Sequence, residues 1–168
     1  MNAQYNLVFI HGLESSSNGT KGSYFRKKYQ DMIIEDFEGT LGQRMNKLNL
    51  ILKNIPSLVL IGSSFGGLMA TIYAMENREQ IKKLILLAPA LSFHEFKSQI
   101  INRIEVPTLL IHGINDQVVE PDSVKQIAQS IFFNLNYMSV DDDHSLHKTF
   151  LSLDWDNLIH QWPAALIS

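Results

Sequence analysis

The stretch Ser57-Leu58-Val59-Leu60-Ile61-Gly62-Ser63-Ser64-Phe65-Gly66-Gly67 decides how this chain is read. An apolar run of strand length, a Gly-x-Ser-x-Gly turn and a helical pattern reaching about Asn77 predict a strand that bends sharply into a helix. Such a bend strains the backbone of the residue at its apex, Ser64. It also brings strand and helix so close that the positions two before and two after must be tiny, which Gly62 and Gly66 satisfy. Ser64 is therefore a candidate nucleophile, with the first free N–H groups and the positive end of the following helix beside it. The competing reading is a tight turn without chemistry, because isolated matches to this pattern arise by chance in sequences rich in small residues.

Working outward, apolar runs of strand length recur at Tyr5–Ile10, Met32–Phe37, Ser57–Ile61, Lys83–Ala88, Val106–His112 and Phe133–Val140. Helical periodicity occupies about Gly22–Gln30, Leu41–Asn54, Phe65–Asn77, Ser92–Ile101, Asp122–Ser130 and Ser145–His160. Alternation of this kind predicts an α/β fold of about six mostly parallel strands with helices on both faces, and ligands then bind outside the carboxyl ends of the strands. The loops at that edge carry His11-Gly12-Leu13-Glu14-Ser15-Ser16-Ser17, Ser64, His112-Gly113-Ile114-Asn115-Asp116 and Asp141-Asp142-Asp143-His144. Asp116 and His144 are 28 positions apart, one strand–helix–strand unit, so they are expected to end neighbouring strands.

Composition narrows the classes. The chain has 168 residues, 45% hydrophobic and 18% charged, with a net charge of −3, which fits a single domain over 1–168 and argues against a nucleic-acid partner. Cysteine is absent, so a thiol nucleophile and a disulfide framework are excluded. The first residues lack a basic leader and the apolar run after them ends at His11-Gly12, so a soluble cytoplasmic protein with no membrane span is expected.

Ser64, Asp116 and His144 stand in the chain order Ser…Asp…His. With Val8-Phe9-Ile10-His11-Gly12, the Gly62–Gly67 elbow, Ile111-His112-Gly113-Ile114-Asn115-Asp116 and Asp143-His144-Ser145-Leu146, the chain resembles the α/β-hydrolase superfamily over nearly its whole length. The short serine-rich His-Gly loop and the Gly-Ser-Ser-Phe-Gly-Gly elbow most resemble its compact YqiA-type esterases. The resemblance implies a serine esterase acting on small-molecule carboxylic esters or thioesters of small to medium acyl groups, through an acyl-enzyme and without metal or organic cofactor. In it His144 is the general base, Asp116 orients the imidazole, and the backbone N–H groups of Leu13 and Phe65 form the oxyanion hole. Only four residues precede Tyr5, too few for the usual N-terminal hairpin, and only 17 separate Ala88 from Val106, so a trimmed sheet with a minimal cap is expected.

Each assignment has a rival. His147 is an alternative base, expected in the first turn of the last helix; Asp116 is an alternative turn former; Asp141, Asp142 and Asp143 read as helix-start acids. His11 and His112 read as structural groups beneath the site. Phe93 and Phe96 are candidates for the substrate pocket, though their helical spacing also fits the core. Gly19-Thr20-Lys21-Gly22 lacks the glycine that a Walker A loop requires. From a different class, the rival to the hydrolase is a catalytically silent protein of the same fold that binds a small molecule or partner.

Overall fold

The computed structural model describes residues 5–93, 96 and 103–162. The strands are β1 (Asn6–Ile10), β2 (Ile33–Ile34), β3 (Leu58–Ser63), β4 (Ile81–Leu87), β5 (Thr108–Gly113) and β6 (Leu135–Val140). The helices among these residues are α1 (Thr20–Lys28), α2 (Leu41–Leu52), α3 (Phe65–Glu76), α4 (Pro121–Ile131), α5 (Thr149–Ser152) and α6 (Trp155–His160). All six strands are parallel, in the order β2-β1-β3-β4-β5-β6.

Period-two alternation along the central strands builds the two layers. Leu58 and Leu60 of β3, Leu84 and Leu86 of β4 and Leu110 of β5 face a core shared with Leu48 of α2, Leu68 of α3 and Val124 of α4. Their neighbours Val59, Ile61, Ile85, Leu87, Leu109 and Ile111 face a second core with Phe25 of α1, Phe150 of α5 and Trp155 of α6. Each such fully buried side chain contributes on the order of 2 kcal/mol. Burial on both sides is why these strands read as continuous apolar runs. Local signals place the helix starts: Thr40 and Gln43 form a capping box before α2, and Glu120 accepts the Asp122 and Ser123 N–H groups ahead of Pro121.

Two elements depart from expectation. The second strand shrinks to two residues, because the Phe37 N–H turns away to donate to His11 Nε2 at 2.9 Å instead of extending a ladder. The single helix expected over Ser145–His160 is two short helices, interrupted where Leu153 is extended and Asp154 caps α6 by accepting the Asn157 N–H at 3.0 Å. Both pieces face one core, so the apolar pattern runs on across the break. The helix expected near Ser92–Ile101 and the minimal cap lie largely outside the described residues.

Candidate active site

The elbow forms as its sequence demands. Ser64 lies at φ 54° and ψ −117°, a conformation costly for a side-chain-bearing residue, and its own N–H and C=O are held by the Leu87 carbonyl at 2.9 Å and the Ala90 N–H at 3.0 Å. A Cβ on Gly62 would stand 2.7 Å from the Gly67 Cα, and one on Gly66 would stand 2.6 Å from the His11 carbonyl oxygen. The two glycines are thus required by contact between β1, β3 and α3.

Ser64 follows β3, Asp116 follows β5 and His144 follows β6, all at the carboxyl edge of the sheet, with β5 and β6 adjacent. The Ser64 Oγ lies 2.9 Å from His144 Nε2, and His144 Nδ1 lies 2.7 Å from Asp116 Oδ2. A carboxylate only accepts, so Nδ1 carries the hydrogen and Nε2 keeps its lone pair toward the hydroxyl. Asp116 Oδ1 accepts the Val118 and Val119 N–H groups at 2.8 and 2.9 Å. Burial pushes the Asp116 carboxyl up, but the Val119 N–H, His144 and the Val118 N–H outweigh it and hold the group below the usual carboxylate range.

Oδ2 also accepts from His112 Nε2 at 2.9 Å. That nitrogen faces a second acceptor, the Val119 carbonyl, at 3.2 Å, so it bears the hydrogen, and the buried Nδ1 has no partner among the described residues. His112 thereby reaches the Asp116 carboxylate from beneath the candidate site. His11 is equally buried and fixes the loop after β1: its Nε2 accepts the Phe37 N–H, leaving Nδ1 to donate to the Gly12 carbonyl at 2.7 Å. Gly12 passes so near the serine that a Cβ there would lie 3.3 Å from Ser64 Cβ. Leu13 follows on that loop, half-exposed at the cleft, and Phe65 opens α3 with its N–H among those that no helical carbonyl can take.

The rivals are placed differently. His147 precedes α5 instead of lying in a helix, and its Nδ1 pairs with Asp143 Oδ2 at 2.6 Å on the surface. Asp142 is a helix-start acid, accepting the Lys148 and Thr149 N–H groups at 3.0 and 2.7 Å. Phe93 lines the cleft and packs edge-on against Phe65, with centroids 5.4 Å apart. Phe96 does not reach the cleft: it is fully buried in the core, so its expected pocket role is corrected.

Sequence reasoning missed Arg44. It occupies a core position of α2 beside Leu41, Met45 and Leu48, and a polar residue in that apolar stripe was the available signal. Its Nε donates to the Gly39 carbonyl at 3.0 Å and its Nη2 to the Leu13 carbonyl at 3.4 Å, while its guanidinium carbon lies 5.5 Å from the centroid of the Phe65 ring. It therefore ties the loop bearing Leu13 to the Phe65 ring at the start of α3, the two residues that carry the candidate oxyanion donors. A cleft of about 670 Å³ opens over Ser64, within the range of small-molecule sites. Among the described residues no cluster of His, Asp or Glu is arranged to hold a metal, and no helix is long and apolar enough to cross a membrane.

A model of the alpha/beta hydrolase family matches residues 40–150, which include the elbow, Asp116 and His144. The chain belongs to the α/β-hydrolase family. A Mycoplasma pneumoniae protein provisionally named esterase/lipase 2 is 28% identical over 102 residues, 51% of this chain and 38% of that protein, so the chain spans well under half of that relative. Among solved structures, a provisionally assigned YdeN-like hydrolase of Pectobacterium atrosepticum aligns with a TM-score of 0.74 at 22% identity, covering 93% of this chain and 87% of the other. Est1E of Butyrivibrio proteoclasticus, solved with ferulic acid bound, aligns at 0.71 and 17% identity over 90% and 86% of the two chains. These structural likenesses establish the fold; family membership and the esterase-named relative support hydrolysis.

Proposed function

We propose that the protein is a serine hydrolase that cleaves carboxylic esters or thioesters of small to medium acyl groups through an acyl-enzyme. The observation that carries this reading is the unbroken chain from Ser64 Oγ through His144 to the buried Asp116 carboxylate. Ser64 attacks the acyl carbonyl while His144 Nε2 takes its proton; the same nitrogen then returns the proton to the leaving alcohol or thiol. Asp116 fixes the tautomer and stabilises the imidazolium. The Leu13 and Phe65 N–H groups receive the negative charge of the tetrahedral intermediate, and water repeats the sequence to release the acid.

The test is labelling by a fluorophosphonate together with p-nitrophenyl ester kinetics on wild type and Ser64→Ala, with circular dichroism to establish folding. Labelling at Ser64 and a loss of about 10⁴-fold or more in kcat in the folded variant are expected. Wild-type turnover by a folded Ser64→Ala protein would refute the mechanism, and a wild-type protein that neither labels nor turns over would favour a silent binding protein.

A further inference from the structure

The walls of the cleft differ in chemistry. On the side of the sheet packed by α2, α3 and α4, the described residues that bound the cleft include Phe65, Ala90, Phe93 and Val119, all apolar. On the side packed by α1 and α5, it is bounded by Phe9, Leu146 and Phe150, and there Lys21 from the first turn of α1 brings an ammonium into the wall. Lys21 Nζ donates to the carbonyl of Ser145, the residue after His144, at 2.6 Å and lies 5.4 Å from the centroid of the Phe150 ring. A carbonyl and a ring face leave an ammonium's charge unneutralised, and two of its three N–H donors remain for other acceptors.

The carboxylates nearby are engaged elsewhere. Asp142 accepts the Asp143, Lys148 and Thr149 N–H groups, and Asp143 pairs with His147. Among the described residues no carboxylate comes within ion-pair distance of Lys21, although Lys28 and Lys148 each meet one, Asp156 and Asp141. Burial pushes the Lys21 ammonium below its ordinary range against the attraction of Asp143 and Asp142, as expected of a cation drawn from water with no carboxylate in ion-pair contact. Among the described residues the other fully charged side chain on the cleft is Glu14, which is exposed on the loop after β1.

Resting on the hydrolase reading, we propose that Lys21 forms an anion subsite, and that the preferred substrates are esters or thioesters bearing a carboxylate or similar anion on one half. The apolar wall takes the uncharged half. An anion bound at Nζ gains a charge-assisted hydrogen bond in a partly desolvated cleft, which discriminates far better than one more methylene on the opposite wall. Lys21 thereby determines specificity without touching the reacting atoms.

The test compares two charged esters with neutral isosteres on wild type, Lys21→Met and Lys21→Arg. p-Nitrophenyl hemisuccinate against p-nitrophenyl valerate places the anion on the acyl half; 4-acetoxybenzoate against its methyl ester places it on the leaving group. Wild type is expected to favour one charged ester at least tenfold in kcat/KM, and the favoured arm identifies which half faces Lys21. Lys21→Met should erase that preference while changing the neutral esters no more than about threefold, and Lys21→Arg should retain most of it. Neutral esters hydrolysed as well as or better than both charged ones would overturn the subsite while leaving the hydrolase reading intact. Equal loss on charged and neutral esters in Lys21→Met would also overturn it, showing that the lysine acts only through the Ser145 carbonyl and the His144 loop. Absence of turnover on every ester, with no fluorophosphonate labelling of wild type, would bring down the hydrolase reading and this one with it.

Discussion

Replacing Asp116 by Asn tests the site through hydrogen-bond polarity alone. In the native arrangement Oδ1 accepts two backbone N–H groups, from Val118 and Val119, so an Asn side chain must put its amide oxygen there and its NH₂ where Oδ2 was. The NH₂ then faces His144 Nδ1 and His112 Nε2, both of which donate to the carboxylate in the wild type. His144 can meet a donor only by moving its own hydrogen to Nε2, which points that hydrogen at Ser64 and removes the lone pair that takes the serine proton. The geometry survives and the base is lost. A loss of about 10⁴-fold in kcat is expected, equivalent to about 5.5 kcal/mol of transition-state stabilisation. His112 can adapt by moving its hydrogen to the unpartnered Nδ1, but the Val119 carbonyl then loses its donor, so about 2 kcal/mol of stability should go as well. For a chain of this size that lowers Tm by roughly 4–8 °C. The assays are p-nitrophenyl ester turnover, the rate of fluorophosphonate labelling and thermal melting. Activity within tenfold of wild type in a folded Asp116→Asn protein would refute the tautomer argument. A larger loss on substituting Asp141 or Asp143 would show that the wrong carboxylate has been assigned.

Asp142 carries another pH-dependent contribution near the site. Burial raises its carboxyl, but hydrogen bonds from Thr149, Asp143 and Lys148 outweigh that and hold it below the usual range. Its stabilisation is therefore present above the unfolded value, about pH 4, and is lost as pH falls through the lower folded value. Asp142→Ala is expected to cost about 2 kcal/mol in urea unfolding at pH 7, with the gap from wild type narrowing toward pH 3, and to reduce turnover because the His144 loop loses its anchor. Phe93→Ala should lower kcat/KM most for the longer acyl chains with little change in Tm, whereas Phe96→Ala should cost about 3–5 kcal/mol of stability because it empties a core position; a reversed pattern would exchange their roles.

Elements and site residues were legible in the sequence to different depths, for physical reasons. The central strands, buried on both faces, write themselves as continuous apolar runs, the half-buried edge strands β2 and β6 keep enough apolar residues to read as strands too, and the candidate site residues follow because a parallel sheet gathers its loops at one edge. The break at Leu153 was concealed because Phe150 and Trp155 enter the same core from separate helices, and an apolar pattern records which face is buried, not whether the backbone between is continuous. Asp154, an N-cap residue in mid-pattern, was the trace it left. Phe93 and Phe96 show the same limit: three positions apart, they share a spacing that fits core and pocket equally, and only the depth of the fold separates them. Arg44 and Lys21 mark a different one. Each acts through partners remote in sequence, Arg44 on Leu13 and Phe65, Lys21 on Ser145, and no local pattern encodes such contacts. The motifs therefore name the groups proposed for bond-breaking, while the residues that would tune specificity and brace the loops emerge only when the chain is folded.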